Sequence, residues 1–101
     1  MEKIKFAELE QKLRSHSYTI LDFGSPGCAP CQKIAQALPA MLAELSGFDI
    51  GAYEVDITVE AAIASKFFVL GVPTLILFRG EREVARFNSL PKKDKIKHLL
   101  S

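Results

Sequence analysis

The sequence predicts an α/β fold with three layers, helix–sheet–helix, around a mixed sheet of four to five strands. Helix-like and strand-like segments alternate through most of the chain, which is typical of parallel strands with helices on both faces. The last two strand-like segments are joined by a short turn, which adds antiparallel pairing. With 101 residues, 49% apolar and 25% charged, the chain suits one globular domain over residues 1–101.

The first half of the chain predicts two helices and two strands. Apolar residues spaced by three and four predict an amphipathic helix over 6–14 and a second helix from Cys31 to about residue 46. The apolar, β-rich segment 18–23 predicts a buried strand, and 48–56 a second strand. Pro39 lies inside the second helix and should bend or interrupt it, because proline removes a backbone donor.

The second half predicts a third helix, a hairpin and a closing helix. Thr58 is expected to cap the third helix at its start. The apolar stripe of this helix is expected to contain Val59, Ile63 and Phe67. Segments 74–78 and 83–87 are predicted strands joined by a tight turn, and Pro91 should open the last helix.

Composition and charge argue against several classes of partner. The formal net charge is +1, so no overall field favours nucleic acid or an anionic membrane. No segment approaches the roughly 20 apolar residues that span a bilayer, and the opening residues lack a signal-peptide run. We therefore expect a cytoplasmic monomer with no membrane or nucleic-acid partner. The lysines near the C-terminus are interpreted as solvated cations that complement a helix dipole.

Cys28 and Cys31 join the first predicted strand to the second predicted helix. Such a pair can be a structural or inert staple, half of a zinc site, or a redox couple. A disulfide across so short a loop would constrain the unfolded chain by only about 2 kcal/mol. Zinc would need two further ligands, and neither His16 nor His98 lies beside another candidate ligand. The redox interpretation is favoured, with no bound metal or cofactor.

The start of a helix is a suitable place for a reactive thiol. Free backbone N–H groups and the helix dipole stabilise a thiolate there, so Cys28 is the expected nucleophile. Pro30 fits the first helical turn, where a missing N–H costs nothing. Cys31 comes round one turn deeper and would resolve the mixed disulfide that Cys28 forms.

Asp22 is a carboxylate inside an otherwise apolar strand. Its neighbours Ile20, Leu21 and Phe23 predict at least partial burial. Burial raises the pKa of a carboxyl group toward the range in which thiol exchange operates. The alternative is an aspartate that faces solvent at the edge of the strand.

Four segments in the same order resemble the thioredoxin family over nearly the whole chain: Asp22–Phe23, Cys28–Cys31, Val55–Asp56 and Gly71–Thr74. The resemblance implies a thioredoxin fold and a dithiol that reduces disulfides of client proteins. It implies recharging by a flavin- and NADPH-dependent thioredoxin reductase, and makes Asp22 the base that deprotonates Cys31. It also implies a cis peptide bond before Pro73. The residues expected to contact a substrate are Gly27, Ala29, Pro30, Val72 and Pro73.

The chain departs from the family pattern beside the cysteines. The family usually has a tryptophan before the first cysteine and another two residues after the buried aspartate. This chain has Gly27 and Gly24 there, and no tryptophan at all. A lysine usually found behind the aspartate is replaced by Ala52, which should stabilise the carboxylate less. Asn88 stands at a usual glycine. We expect a flatter, less apolar rim, which indicates either specialised partners or a neutral loss.

Two other functions stay open at this point. A non-catalytic thioredoxin-fold module could keep the fold for binding a partner, with incidental cysteines. An oxidant or isomerase would fit a periplasmic location. Phe67 and Phe68 are interpreted as core and packing residues rather than parts of a binding site.

Overall fold

The computed structural model describes residues 1–100 as a five-stranded sheet with helices on both faces. The strands are β1 (Glu2–Lys3), β2 (Tyr18–Gly24), β3 (Ile50–Asp56), β4 (Thr74–Arg79) and β5 (Arg82–Phe87). The helices are α1 (Leu9–Arg14), α2 (Ala29–Ala43), α3 (Ala61–Lys66) and α4 (Lys93–Leu99). A 3-10 turn at Phe6–Glu8 leads into α1.

The sheet is mixed, in the order β1-β3-β2-β4-β5. Strands β1, β3 and β2 are parallel, whereas β4 runs antiparallel to both β2 and β5. The central strand β2 is buried along nearly its whole length, as its apolar sequence predicts. The turn between β4 and β5 contains Gly80 at φ 58°, a conformation that glycine adopts without strain.

Two separate cores confirm the three-layer α/β prediction. On one face α1 and α3 pack against the sheet through Leu9, Leu13 and Ile63. On the other face α2 and α4 pack through Leu38 and Ile96. Side chains of a strand alternate between faces, so β2 sends Leu21 and Phe23 to the first core and Ile20 to the second. Asp22 therefore points to the α2 side of the sheet.

Two helices differ from their predictions. Phe6 was expected on the buried side of the first helix but is 50% exposed, because the helix proper begins only at Leu9. Pro39 does not interrupt α2, which continues through it to Ala43. Leu38, adjacent to this proline, is completely buried, so packing against the sheet holds the helix together there.

The start of the third helix also differs from its prediction. Thr58 does not cap α3: its hydroxyl donates to Asp56 Oδ1 at 2.6 Å and its N–H to the same oxygen at 2.9 Å. These hydrogen bonds to Asp56 hold Thr58 in a local turn that precedes the start of α3 at Ala61. Val59 is consequently exposed rather than part of a buried stripe.

The two adjacent phenylalanines have different surroundings. Phe67 packs against Phe78 with 5.0 Å between ring centroids, as expected of a packing residue. Phe68 is 81% exposed, so its interpretation as a packing residue is wrong.

Candidate active site

The cysteine pair is a disulfide at the first turn of α2. Cys28 is the N-cap residue, its Cα lies 5.3 Å from that of Cys31, and its sulfur accepts a hydrogen bond from the Cys31 N–H at 3.3 Å. Cys28 is half-buried, whereas Cys31 is only 7% exposed. The helix therefore presents one sulfur to a partner and directs a backbone donor at it, an arrangement that stabilises a thiolate.

Both glycines that stand at the usual tryptophan positions have structural reasons to be glycine. A Cβ on Gly24 would lie 3.1 Å from the Cβ of Cys31, so this glycine lets the buried cysteine approach β2. Gly27 has φ 80°, a backbone conformation that strains any residue with a side chain. No atom lies within 4 Å of a Cβ built on Gly27, so the strain comes from the backbone alone.

Asp22 is buried, as its apolar neighbours predict, with only 3% of its surface exposed. Its Oδ1 has no hydrogen-bond partner within residues 1–100. Burial, followed by repulsion from Glu54, raises the pKa of Asp22 from 3.8 to about 6. The carboxyl group is therefore able to exchange a proton close to neutral pH.

Glu54 is a site residue that the sequence reasoning missed. It pairs with Asp22 in the parallel register of β2 and β3, whereas Ala52 lies opposite Ile20. The position behind Asp22 thus has an acidic neighbour in addition to lacking a cation, and both features disfavour its ionised form. The sequence alone does not reveal this neighbour, because the register between β2 and β3 is fixed only in the folded sheet.

A cavity of about 270 Å³ connects these groups. Asp22, Cys31 and Glu54 line it, and the exposed Lys3 lies at its border with solvent. Asp56 also lines it, and its hydrogen bonds with Thr58 lower the pKa of that carboxyl group. The cavity has polar groups in its lining and is large enough to admit water, so the buried cysteine, the three carboxyl groups and solvent share one space.

The loop that precedes β4 meets the cysteine loop at one end of the sheet. Thr74 pairs with Phe23, one residue before Gly24, so Pro73 adjoins the end of β2. The peptide bond between Val72 and Pro73 is cis. The Thr74 hydroxyl donates to the Gly71 carbonyl at 2.7 Å and fixes the loop. The structure therefore gathers the predicted cysteine, aspartate and proline positions at one end of the sheet.

Within residues 1–100, no group of three or more histidine, cysteine, aspartate or glutamate side chains is arranged to hold a metal ion. None of the helices in that range is long and apolar enough to cross a membrane.

A disulfide at a helix start, sharing a cavity with a buried carboxyl group and beside a cis-proline loop, defines a thiol–disulfide oxidoreductase site on a mixed α/β sheet. The family model described as "Thioredoxin" matches residues 1–101, and the chain belongs to the thioredoxin family.

Individual relatives agree with this assignment. The chain is 33% identical to a thioredoxin from Chlamydia caviae over 101 residues, covering 100% of this chain and 97% of that one. A protein disulfide-isomerase from Gallus gallus is 33% identical over 84 residues, covering 81% of this chain but only 16% of the isomerase. Among solved structures, a mutant thioredoxin from Halobacterium salinarum NRC-1 superposes with a TM-score of 0.82 at 29% identity. That superposition covers 99% of this chain and 86% of the other.

Family membership establishes the class of reaction. The chain is a disulfide oxidoreductase of the thioredoxin type, and the pair Cys28–Cys31 is its redox-active disulfide. In general terms, such a protein works between a reductase and proteins that contain disulfides.

Proposed function

We propose that this chain reduces disulfides in client proteins, with Cys28 as the nucleophile. The carrying observation is that the sulfur of the half-buried Cys28, at the start of α2, accepts a backbone N–H, and that Cys31 lines a cavity together with the buried Asp22. In the first step the Cys28 thiolate attacks one client sulfur. The client S–S bond breaks, a mixed disulfide forms, and one client thiolate leaves.

In the second step Cys31 resolves the mixed disulfide. The Asp22 carboxylate accepts the Cys31 proton, and the resulting thiolate attacks the Cys28 sulfur. The second client thiolate leaves and takes up a proton, while the pair Cys28–Cys31 is oxidised and has transferred two electrons to the client. The shared cavity and the raised pKa of Asp22 support its role as the base.

The client segment is proposed to lie across Gly27, Ala29 and Pro30 on one side and Val72 and Pro73 on the other. Gly27, Ala29 and Pro30 are exposed and small or rigid, which leaves the Cys28 sulfur accessible. Val72 and Pro73 are half-buried at the start of the neighbouring strand. An extended peptide between these two loops would pass the nucleophile.

A flavin- and NADPH-dependent thioredoxin reductase is the proposed source of electrons, because the oxidised pair must be reduced after each turnover. A cytoplasmic location fits a dithiol that has to be kept reduced. A monomeric, single-domain protein over residues 1–101 is the proposed working unit, since helices cover both apolar faces of the sheet.

The midpoint potential of the Cys28–Cys31 couple tests this proposal. Equilibration in redox buffers followed by thiol trapping should give a value near the roughly −270 mV of a reducing thioredoxin. A value about 100 mV higher would instead indicate an oxidant or isomerase. If the pair showed no reversible two-electron exchange, a non-catalytic interaction module would be the better description.

A further inference from the structure

Phe68 has a combination of properties that is rare for an aromatic residue. Its φ is 56°, in the left-handed region that bulky residues avoid, and its side chain is 81% exposed. Such a backbone costs free energy that burial of the ring would normally offset, and here the ring is not buried. The conformation is held by the end of α3, where the Phe68 N–H donates to the Ser65 carbonyl at 3.2 Å and the Val69 N–H donates to the Ala64 carbonyl at 2.8 Å. The ring itself contributes no burial that would offset the strain.

The surrounding residues fix Phe68 in this conformation. The Arg86 guanidinium donates to the Phe67 carbonyl at 2.7 Å and to the Phe68 carbonyl at 3.3 Å. Glu83 holds the same guanidinium by two hydrogen bonds of 2.7 and 2.9 Å. Phe67 and Val69 pack against the core on either side. The ring is thus held outward by a defined scaffold.

The exposed ring belongs to a larger apolar surface beside the cysteines. Leu70 is 98% exposed, two residues further along the same loop. A cavity of about 430 Å³ runs along residues 68–74 and is bordered by Arg86 and Asn88. It ends at Pro73 and Thr74, which adjoin the end of β2 that leads into the cysteine loop. The large apolar side chains absent around Gly27 are present on this loop.

We propose that Phe68 and Leu70 form the apolar contact for a client segment next to the reactive disulfide, and that they favour clients with an apolar side chain there. This inference rests on the proposed function, because the client is the protein whose disulfide Cys28 attacks. The cavity is continuous from Phe68 to the proline beside the cysteines, which fits an extended peptide. Two side chains offer far less than the roughly 1,200 Å² of a stable dimer interface, so a client segment is the better occupant.

Phe68→Gly separates recognition from folding, because glycine adopts φ 56° without strain. The probes are two disulfide-linked peptides of equal length, one with Leu-Phe beside the cysteine and the other with Ser-Gly. We expect the variant to keep or raise the thermal midpoint. Its kcat/KM for the Leu-Phe peptide should fall about tenfold because KM rises while kcat stays the same. Its kcat/KM for the Ser-Gly peptide should change less than twofold.

Three further variants complete the test. Leu70→Ser should reproduce the selective loss without changing a strained residue, and Phe68→Tyr should retain the preference. Phe6→Ser removes a different ring, which is 50% exposed and lies far from this loop in the sequence. It should leave kcat/KM unchanged for both peptides.

If wild type and Phe68→Gly each reduced the Leu-Phe peptide and the Ser-Gly peptide at equal rates, the inference would be overturned. Disulfide reduction itself would remain intact. Reduction of neither peptide by the wild type would overturn the proposed function as well. A wild-type dimer that Phe68→Gly dissociates, seen by sedimentation, would mean that a second copy occupies the surface, and would also overturn the inference.

Discussion

The segment 25–31, which leads into α2, and the loop over 67–73 meet at one end of the sheet but differ in side-chain size and exposure. The first contains small residues around a half-buried sulfur, and its Cys31 shares a cavity with a buried carboxyl group on the α2 side. The second exposes Phe68 and Leu70, while Phe67 and Val69 pack against the core on the α3 side. The comparison suggests that electron transfer is carried by the first segment, whereas the apolar part of the client contact is carried by the second, which is attached to the opposite face of the sheet.

The largest effects should come from the cysteines of the first loop. Cys28→Ser should abolish client reduction, because no nucleophile remains. Cys31→Ser should still attack but stop at the mixed disulfide, since nothing resolves it. Mass spectrometry of the variant after reaction with a disulfide-linked peptide should show this adduct. Release of both halves of the peptide by Cys31→Ser, with no adduct remaining on Cys28, would contradict the assigned roles.

Asp22→Asn should slow client reduction by at least about tenfold, because it removes the base that accepts the Cys31 proton. In the wild type, the rate should fall as pH decreases through about 6, where the Asp22 carboxylate becomes protonated and can no longer accept a proton. The variant should lack this inflection. Stopped-flow rates between pH 5 and 8 measure both quantities, and an unchanged inflection in Asp22→Asn would exclude Asp22 as its source.

The same substitution should stabilise the fold at high pH. Folding raises the pKa of Asp22 from 3.8 to about 6. The free energy of unfolding is therefore unaffected by Asp22 ionisation below about pH 4, and it decreases as pH rises through 6. Above pH 7 the ionised carboxylate costs up to about 3 kcal/mol. Urea unfolding should therefore find Asp22→Asn more stable than wild type at pH 8 and equal to it near pH 4.

Asp49 offers a matched control of opposite sign. His16 and the Ser17 N–H stabilise its carboxylate and lower the pKa of Asp49. Asp49→Asn should therefore lose stability at neutral pH, with the difference disappearing as pH falls below the ordinary range of a carboxyl group. A gain in stability from both substitutions would show that removal of charge, rather than burial, explains the effect at Asp22.

Each of the two segments contains one residue with positive φ, so the cost of that backbone conformation can be compared between them. Gly27 suits its φ of 80°, so Gly27→Ala should cost about 1 kcal/mol. Phe68 does not suit its φ of 56°, so Phe68→Gly should cost nothing or increase stability. Urea unfolding of the two variants measures both changes. A loss of similar size in both would mean that the Phe68 ring stabilises the fold after all.

The smallest effect should come from Glu54. Glu54→Gln removes the negative charge that helps raise the pKa of Asp22, so the inflection in the rate profile should move to lower pH. Glu44→Gln, which changes a carboxylate paired with Lys93 after the end of α2, should leave the inflection where it is. Equal shifts in both variants would indicate a general effect of net charge.

The sequence predicts those features that follow from periodic or local apolar patterns. It does not predict features that depend on contacts between segments distant in the chain. The alternation of strands and helices predicts the layers, and the apolar neighbours of Asp22 predict its burial. Two-residue β1 has no periodicity to detect, because it pairs only through its backbone with β3. Thr58 has the composition of a helix cap, but a local hydrogen bond to Asp56 takes precedence.

The candidate site divides in the same way. The place of Cys28 and Cys31 between a predicted strand and a predicted helix favours a redox couple at a helix start, with a staple and a zinc site as the alternatives. Glu54 acquires its importance only from the register between β2 and β3, which brings it beside Asp22. Phe68 is an aromatic residue in an apolar segment, which usually indicates core. Its exposure follows from the clamp that Arg86 and Glu83 form from a distant strand.

A double-mutant cycle tests most directly whether the two loops act separately. The second-order rate of reduction of the Leu-Phe peptide is measured for wild type, Asp22→Asn, Phe68→Gly and the double variant. If chemistry and contact are separate, the two fold-losses multiply, within the roughly 0.5 kcal/mol expected of independent sites. A double variant no slower than the slower single variant would contradict the account, because the two loops would then act as one unit.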